Sequence, residues 1–449
     1  MSNNNEINSN FLKQISDLIS EYSNKNIQKL IEDLHVADIA EIINNLSVKE
    51  ANYLYQLIDE EKSALVLMEL EEEIREHLLS NLSSKEIATE VIENLESDDA
   101  TDVILELPQE LKEEVLSLIE DDVHASDITD LLNYPEDTAG GLMAKELIKV
   151  NENWSTLQCL KEMRKQASSV KKVHTIYVVD DNNKLTGTLS LRRLLITESK
   201  IFIKEIANTE IISVHVNEDN ASVANIMNKY DLIVIPVVNE ENILVGRITI
   251  DDVMDVVKDE AEKDYQMASG ITEDVESSDS IWHLTRARLP WLLIGLAGGL
   301  LGAKVIGLFD IEENIQLAFF IPLIAAMGGN VGVQSAAIVV QGLANESIKL
   351  NTIFSKLTKE LGVALLNGLI CSLIIFGSTI VLQYSIQLSI TVSISLLSVI
   401  VFAALFGTFI PLTLEKYKID PALATGPFIT TINDILGLYI YFLIGQSIL

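Results

Sequence analysis

The sequence predicts a multidomain membrane protein with three parts in a fixed order. An all-α helical-repeat domain comes first, an α/β domain made of two repeats follows, and an α-helical membrane domain of five spans ends the chain. Three observations predict this order: recurring short helical patterns, an α/β motif that occurs twice, and five long apolar segments. The predicted boundaries are 1–137 for the helical domain, 138–258 for the α/β pair, 259–287 for a connecting helix and 288–449 for the membrane domain.

The charge of the chain is separated from its apolar residues. The 449 residues include 32 basic and 66 acidic ones, a net charge of −34, yet 48% of the residues are hydrophobic. From Trp291 onward there are 6 basic and 8 acidic residues, so the first 290 residues carry a net charge of −32. This acidic field repels phosphate, which argues against nucleic-acid binding, and it attracts cations. The alternative is that the acidity serves solubility alone.

The two cysteines and the N-terminus favour a cytoplasmic location for the acidic part. Cys159 and Cys371 fit no zinc or redox motif. The first residues, MSNNNEINSN, lack the basic and apolar regions of a cleavable signal peptide. We therefore expect the N-terminus to stay in the cytoplasm.

The first domain shows helical periodicity. Ile39, Ile42, Ile43 and Leu46 fall on one face of a helix. The segments ADIAEIINNL, KEIATEVIENL, DATDVILEL and SDITDLLNY resemble one another, each with a polar or acidic start and an apolar face. This pattern predicts a stack of helical hairpins.

An internal repeat defines the second domain. IYVVDDNNKLTGTLSLRRLL, from Ile176, matches IPVVNEENILVGRITIDDVM, from Ile235, without a gap. Each copy reads as strand, turn, strand and helix start, and an amphipathic helix precedes each, around Thr156–Gln166 and Ser222–Lys229. Two such units are expected to pair face to face.

Pairs of this kind often bind adenine nucleotides in the cleft between the repeats. In the second copy Thr249 and Asp252 are placed to hold a ribose and a phosphate, whereas Arg193 stands at the position of Asp252 in the first copy. At most one site is therefore expected, with ATP as its candidate ligand. The alternative is a purely structural pair.

The helix that leaves the second repeat is strongly acidic. Asp252, Asp255, Asp259 and Glu262 share one stripe, which further acids widen and extend: Asp251, Glu260 and Asp264. Like charges one turn apart cost about 0.2–0.5 kcal/mol per pair. A solvated acidic face is the plainer interpretation.

However, the helix leads toward the first span, and the loop before the last span presents Asp420. Acids from both sides are therefore expected to meet at the inner membrane surface, where a divalent cation could bridge them.

Five segments are long enough to cross a bilayer core of about 30 Å. Their approximate limits are Leu289–Phe309, Ile315–Leu343, Leu361–Tyr384, Ile390–Leu412 and Pro421–Leu449. Lys and Arg precede the first span and occupy the second and fourth loops, whereas the first and third loops have none. The positive-inside rule then predicts a multi-pass protein of the cell membrane with its N-terminus in the cytoplasm and its C-terminus outside.

A carboxylate inside the last span points to cation transport. Asp434 would cost about 2.5–3.5 kcal/mol at mid-membrane, and such residues commonly mark a transport path. Candidate pore-lining side chains with oxygen atoms accompany it: Thr431 and Asn433 in the same span, and Asn330 and Gln334 in the second. No deep Lys or Arg offers an ion pair, so the set suits a hard cation. The alternative is a buried carboxylate that hydrogen bonds to a neighbouring helix.

Motifs along the whole chain resemble those of the MgtE-type magnesium channels. The N-terminal LHVADIAEIINNL and LLNYPEDTAGGLM are similar to the family's N domain and its junction with the CBS pair. NKYDLIVIPVVNEENILVGRITIDDV resembles a second CBS repeat. In the membrane part, RLPWLLIGL, FIPLIAAMGGNVGVQS and TTINDILGLYIYF match in order.

The resemblance implies a homodimer with an axial pore, a connecting "plug" helix and cytosolic domains that sense Mg²⁺. Asp434 matches the pore aspartate of the family and Asp420 the acid at the cytosolic mouth. The other acids that the resemblance assigns to Mg²⁺ sensing are Asp252, Asp255, Glu260, Asp264, Asp231, Asp99, Asp102 and Glu136.

The chain departs from the family pattern at two positions. Lys263 stands where the family places an acid, and Asn228 stands where an acid can occur. The plug site is therefore expected to be weaker, so that closure needs more Mg²⁺ than in relatives.

The expected function is passive, voltage-driven Mg²⁺ uptake that stops when cytosolic Mg²⁺ binds the acidic surfaces. The chain contains no P-loop motif and no predicted catalytic residue, and it is not predicted to be an enzyme. Two alternatives belong to other classes: a proton-coupled divalent cation transporter, and a membrane receptor that senses a nucleotide.

Overall fold

The computed structural model describes residues 9–167, 170–273, 275, 279–309, 315–344, 353–424 and 426–449. The chain forms two compact units, Met1–Lys258 and Asp259–Leu449. The predicted fold class is confirmed: a helical N-terminal part, an α/β pair and five long apolar helices follow in the expected order.

Short helices build the N-terminal part of the first unit. They are α1 (Ser9–Ser20), α2 (Asn24–Ile31), α3 (Val36–Asn44), α4 (Val48–Tyr55), α5 (Glu60–Met68), α6 (Glu72–Ser80), α7 (Ser84–Glu86), α8 (Ser97–Glu106), α9 (Gln109–Leu118) and α10 (Asp122–Leu131). A π-helical turn, Ile87–Val91, and a 3₁₀ turn, Ile92–Asn94, continue α7.

Polar caps start these helices and apolar faces hold them together. At α7 the Ser83 hydroxyl accepts from the Glu86 backbone N–H at 3.3 Å, and the Glu86 carboxylate accepts from the Ser83 backbone N–H at 2.7 Å. Ile39, Ile42 and Ile43 are fully buried in the shared core, as the periodicity predicts.

The α/β part contains two sheets of the same topology. Strands β1 (Ile148–Asn151), β2 (Ile176–Val179) and β3 (Leu185–Leu189) form the first sheet, and β4 (Val214–His215), β5 (Val234–Val238) and β6 (Leu244–Thr249) form the second. In each sheet the first strand is parallel to the second and the second is antiparallel to the third. The helices of this part are α11 (Thr156–Gln166), α12 (Leu191–Ile196), α13 (Ile203–Ile206) and α14 (Asn220–Lys229), and α15 (Ile250–Ala268) leaves it.

The sequence repeat extends to backbone details. Each hairpin turn places an asparagine in the left-handed region, Asn183 with φ 59° and Asn242 with φ 64°. The Leu185 N–H donates to the Asn242 carbonyl at 3.0 Å, and the Leu244 N–H donates to the Asn183 carbonyl at 3.2 Å. The two repeats therefore face each other through matching turns, and Tyr177 belongs to the apolar cluster between them.

Five helices of the second unit are long and apolar enough to cross a membrane. They are α16 (Ile281–Ile306), α17 (Ile321–Ala344), α18 (Ile353–Val381), α19 (Ile386–Lys416) and α20 (Gly426–Ile448), with a 3₁₀ turn, Ile315–Phe320, before α17. Three of them, α16, α18 and α19, start earlier than the hydropathy predicts. Helix α16 begins at Ile281, eight residues before Leu289, and the Ser280 hydroxyl caps it by accepting from the His283 N–H at 3.2 Å. Helix α18 includes a charged first part that ends at Glu360.

Small residues let these helices pack closely. Helix α19 is the most buried of the five and contacts α17, α18 and α20. A Cβ added at Gly407 of α19 would overlap the Gly332 carbonyl of α17, and a Cβ at Gly298 of α16 would overlap the Thr431 side chain of α20. Glycine is therefore required where these helices cross.

The end of α15 belongs to the second unit and lies against the start of α20. Gly270 has φ 82°, and a Cβ there would lie 2.5 Å from Pro427 Cγ. Gly426 has φ 45°, and a Cβ there would overlap the Ala268 carbonyl. Both positions combine a left-handed backbone with a close approach, which only glycine satisfies readily.

Candidate functional site

A buried polar contact joins the helical domain to the α/β pair. Arg247 of β6 is buried, and its Nη2 lies 3.0 Å from Glu96 Oε2. The backbone N–H and the hydroxyl of Ser97 donate to the Glu146 carboxylate at 3.0 and 2.8 Å. These contacts fix the start of α8 against the α/β pair in the same compact unit.

Three carboxylates lie close together at this junction. Desolvation, followed by the charges of Asp99 and Asp252, raises the pKa of Asp98 well above its ordinary value. Desolvation and then the charge of Asp252 raise the pKa of Asp99 to about 6. Desolvation also raises the pKa of Asp252. Burial thus disfavours ionisation of all three carboxylates, and the charge of Asp252 adds to this effect at Asp98 and Asp99. A bound cation would relieve this condition.

Two further predicted residues belong to this acidic surface. Desolvation, together with the charges of Asp99, Glu106 and Glu136, raises the pKa of Asp102. Asp102 therefore extends the junction cluster along α8, and Glu136 acts on it from the segment after α10.

Asp231 lies elsewhere in the same unit. It follows α14 with an exposed side chain and a backbone φ of 52°. Its N–H lies 3.4 Å from the Asn228 carbonyl. The two positions that the resemblance singled out, Asn228 and Asp231, are thus neighbours at the end of one helix.

A second acidic group lies in the other compact unit. Desolvation and then the charges of Asp420 and Glu260 raise the pKa of Asp264 on α15. Lys263 Nζ lies 3.4 Å from Glu260 Oε1, with both side chains about half exposed, so this pair is weak. Asp255, earlier on α15 in the first unit, is exposed.

The donor chemistry of these groups suits hydrated Mg²⁺ better than a closed metal cage. Among the described residues, no three His, Cys, Asp or Glu side chains form a metal-binding group. Mg²⁺ keeps several of its waters and needs only one or two protein carboxylates. The close carboxylates of both acidic groups meet that requirement.

In the membrane unit, Asp434 lies beside the second of the five helices. Asp434 is partly exposed on α20, and a Cβ added at Gly329 would lie 3.8 Å from its Oδ1. The next residue, Asn330, and Gln334 one turn later are exposed on the same face of α17. Carboxylate and amide oxygens therefore adjoin on one side of the bundle.

The other two predicted pore-lining residues contact neighbouring helices of the same chain. Thr431 packs against Gly298 of α16. Asn433 is 1% exposed, and its Nδ2 lies 3.4 Å from the Gly328 carbonyl. Asn330 and Gln334 thus point out of the bundle, whereas Asn433 points into it.

The candidate nucleotide residues are engaged with each other. Asp252 Oδ2 accepts from the Thr249 hydroxyl at 2.6 Å and from its backbone N–H at 3.0 Å. Although desolvation acts to raise it, the Thr249 hydrogen bond and the charges of Lys172 and His174 keep the pKa of Asp251 low. In the first repeat Arg193 stands at the position of Asp252, and its backbone N–H donates to Ser190 Oγ at 3.3 Å. The first repeat therefore has no carboxylate at this position.

The sequence gives no signal for two features of the structure, the role of Asp98 and the Ser335–Glu360 hydrogen bond. Asp98 is not distinguished there from its acidic neighbours, and only its position among Asp99 and Asp252 reveals it. The Ser335 hydroxyl of α17 donates to Glu360 Oε1 of α18 at 2.7 Å. Glu360 falls just before the apolar stretch that marks the third span, so hydropathy alone places it outside.

Known families match most of the chain. Residues 34–137 match the MgtE intracellular N domain, 139–198 and 203–259 match the CBS domain, and 321–444 match a divalent cation transporter family. The chain is 33% identical over 426 residues to the magnesium transporter MgtE of Bacillus subtilis (strain 168), covering 94% of each. It is 31% identical over 442 residues to the magnesium transporter MgtE of Thermus thermophilus, covering 97% of this chain and 98% of that one.

A solved structure is similar over the N-terminal half. The cytosolic domain of the Mg²⁺ channel MgtE in complex with ATP shares 30% identity and a TM-score of 0.51, and the match covers 55% of this chain and 99% of that one. The domain order, the five apolar helices and the relatives that match nearly end to end agree. The chain is therefore a multi-pass membrane protein and belongs to the MgtE family.

Proposed function

We propose that the chain forms a homodimeric channel for Mg²⁺ uptake across the cell membrane, with its N-terminus in the cytoplasm and its C-terminus outside. Relatives named magnesium transporters that match nearly the whole chain support Mg²⁺ as the transported ion. The lysines at the ends of α18 and α19 support the orientation.

One observation carries the proposal: Asp434 lies within a candidate membrane span, and its carboxylate faces Gly329 of α17. Within the part of the chain that the structure describes, Asp434 forms no ion pair that would offset the free-energy cost of a carboxylate inside a membrane span. A carboxylate from each of two subunits would hold a hydrated Mg²⁺ through its waters, and the exposed Asn330 and Gln334 would offer further oxygens. The inside-negative potential favours entry of a divalent ion by about 4.6 kcal/mol for each 100 mV, so no energy-coupling site is needed.

We infer that cytosolic Mg²⁺ closes the channel by binding the acidic groups. Desolvation, and after it the neighbouring negative charges, raise the pKa of Asp98, Asp99 and Asp264. At low Mg²⁺ this cost of holding ionised carboxylates close together would disfavour the closely packed arrangement. Bound Mg²⁺ removes this repulsion and shifts the balance toward the closed state, which it binds more tightly. The remaining predicted sensor residues are Asp102, Glu136, Asp231, Asp252, Asp255, Glu260 and Asp420.

We further propose that ATP modulates this response at the second CBS repeat. Thr249 and Asp252 would hold the ribose, and the nearby Lys172 and His174 are suited to phosphate. The related cytosolic domain that was solved with ATP supports this ligand. Because Asp252 also belongs to the acidic junction, the nucleotide and Mg²⁺ would act on one carboxylate.

The decisive experiment is current recording from inside-out patches while Mg²⁺ is titrated on the cytosolic face. Openings at low Mg²⁺ that disappear as Mg²⁺ rises would support both the pore and its regulation. Currents that ignore cytosolic Mg²⁺ would contradict the regulation. Uptake without unitary current would favour a coupled transporter instead.

The pore role of Asp434 gives the first specific prediction. Asp434→Asn keeps the shape of the side chain but removes its charge, so Mg²⁺ current should fall by at least about tenfold. Glu415→Gln, which neutralises an acid at the end of α19, serves as the control and should retain its current. Wild-type current in a folded Asp434→Asn protein would remove Asp434 from the pore.

A further inference from the structure

Glu360 is a second carboxylate in the membrane helices, and the transport path described above does not use it. It is the last charged residue of α18 before Leu361–Val381, which contains none. At 1.5 Å per residue it lies about 10 Å along the helix from Ile353. It therefore adjoins the apolar stretch of α18, and the cost of an unpaired carboxylate rises with its depth in a bilayer.

The contact of Glu360 is specific and buried on one side. Its Oε1 accepts from the hydroxyl of Ser335 at 2.7 Å, and Ser335 is 4% exposed. Within the described parts of the chain, Glu360 forms no ion pair. Hydrogen bonds to a charged acceptor are stronger than neutral ones, and leaving such a group unpaired is costly. The Ser335–Glu360 bond is thus a firm link between α17 and α18.

The position of Ser335 gives this link its significance. Ser335 directly follows Gln334, so their side chains point about 100° apart around α17. Gln334 and Asn330 are exposed on one face, whereas Ser335 is buried on its flank. The opposite flank, at Gly329, contacts Thr430 of α20. The exposed amides therefore lie between two attachments, one to α20 and one to α18.

We propose that Glu360 is a positioning residue for permeation: by accepting the Ser335 hydrogen bond it fixes the rotation of α17 and so the direction of Asn330 and Gln334. Among the described residues, the other contacts that hold α17 are apolar and glycine contacts with α19 and α20 and the long Asn433–Gly328 hydrogen bond of 3.4 Å near its middle. We expect these contacts to permit a small roll of α17. A roll would turn the amide oxygens away from the ion path without unfolding the bundle.

The test measures the direction of α17 by thiol accessibility. Gln334→Cys is placed in a Cys371→Ala background, since Cys159 is fully buried. The rate of modification by a membrane-impermeant cationic thiol reagent is compared after adding Glu360→Leu, Glu360→Gln or Ser335→Ala. Ser378→Ala is the matched control, because the Ser378 hydroxyl donates to the Ile374 carbonyl of its own helix and, among the described residues, to no neighbouring helix.

Glu360→Leu and Ser335→Ala should each change the modification rate by about tenfold, as expected for loss of a charged hydrogen bond. Glu360→Gln, whose amide oxygen can still accept from Ser335, should stay within about twofold of the background, as should the control. The double variant should add nothing to either single change. If folded Glu360→Leu protein were modified at the same rate as the Gln334→Cys background, the proposal would be overturned. If Glu360→Leu fails to fold, the rate in Ser335→Ala decides between the two outcomes.

The permeation part of the inference rests on the proposed channel function. In patches, Glu360→Leu should lower the permeability to Mg²⁺ relative to Na⁺ by about tenfold, and Glu360→Gln should restore it. An unchanged ratio in Glu360→Leu would contradict the positioning role. Absence of Mg²⁺ current in the wild type would instead count against the channel, while the accessibility rates would still decide whether Glu360 orients α17.

Discussion

At the scale of single residues, the acidic junction shows how burial turns ordinary carboxylates into candidate cation ligands. Asp99 and Asp252 are far apart in the chain, yet the charge of Asp252 adds to desolvation in raising the pKa of Asp99. Desolvation favours the protonated form, and a neighbouring negative charge adds to this preference. A divalent cation would remove both penalties, because it compensates the charge without a proton.

The raised pKa of Asp99 predicts a pH dependence of local stability. Its pKa of about 6 exceeds the ordinary value of 3.8. Between these two pH values the Asp99 carboxyl is protonated in the folded state and ionised in the unfolded chain. Stability therefore falls as pH rises through this window, and the full penalty is present above pH about 6. Asp99→Asn should stabilise the junction by about 1–2 kcal/mol at neutral pH without Mg²⁺, and hardly at all below pH about 4.

Hydrogen-exchange protection of α8 in the full-length protein, corrected for intrinsic exchange rates, would measure this effect. Asp38→Asn, an exposed acid in the first turn of α3, is the control and should show no such pH dependence. Equal protection in Asp99→Asn and the wild type at neutral pH would show that the carboxylate is not destabilised there.

At the scale of elements, the membrane helices are held by shape complementarity around glycine. Gly328 and Gly332 of α17 leave room for Asn433 of α20, and Gly407 of α19 lets its backbone approach Gly332. Helices in a bilayer associate through such close packing, since lipid tails are as apolar as the side chains. These crossings place the Asp434 carboxylate beside Gly329.

Gly332→Ala should therefore destabilise the membrane unit. The added methyl group would overlap the Asn433 amide and lie 2.8 Å from Ile429 Cγ2. Overpacking of this kind costs about 1–3 kcal/mol. Thermal aggregation of the detergent-purified protein, followed by size-exclusion chromatography, should occur at lower temperature.

Gly295→Ala is the matched control for this prediction. It adds the same methyl group to a membrane helix, but a Cβ there meets nothing within 4 Å. It should leave the thermal profile unchanged. If both variants behaved alike, the close crossing of α17 and α20 would not contribute to stability.

At the scale of the whole molecule, most of the acidic part of the chain lies in the first compact unit, and the five apolar helices lie in the second. The net charge of −34 is carried almost entirely by the part before the spans, where it can attract cations. Helix α15 crosses the boundary between the units at Lys258, so it carries acids that belong to each. In the proposed regulation it is the element that would transmit Mg²⁺ binding to the membrane helices.

Joint neutralisation of Asp252, Asp255 and Glu260 to Asn, Asn and Gln should give a channel that no longer closes in cytosolic Mg²⁺. These substitutions remove acids from both units, and with them the differential affinity that favours the closed state. Open probability in inside-out patches measures the effect. Neutralising three acids of the N-terminal helices, Glu72, Glu73 and Glu76, controls for net charge. Normal closure of the first variant would place the sensor elsewhere.

The domain order, the internal repeat and the five membrane helices could all be predicted without coordinates. Each depends on a local pattern: 3.6-residue periodicity buries Ile39, Ile42 and Ile43, and a repeated strand–turn–strand sets Asn183 and Asn242 in equivalent turns. Asp434 was also identifiable, because a carboxylate in an apolar span is conspicuous without any neighbours.

Which of these residues meet depends on the packing of the folded chain. The fold brings Asp98 to Asp252, turns Asn433 into the bundle rather than outward, and joins Ser335 to Glu360. Desolvation and charge–charge effects act through space, so they depend on distances that no periodicity encodes. Local patterns therefore fix the elements of this protein, whereas packing between those elements selects which candidate ion-binding side chains lie together.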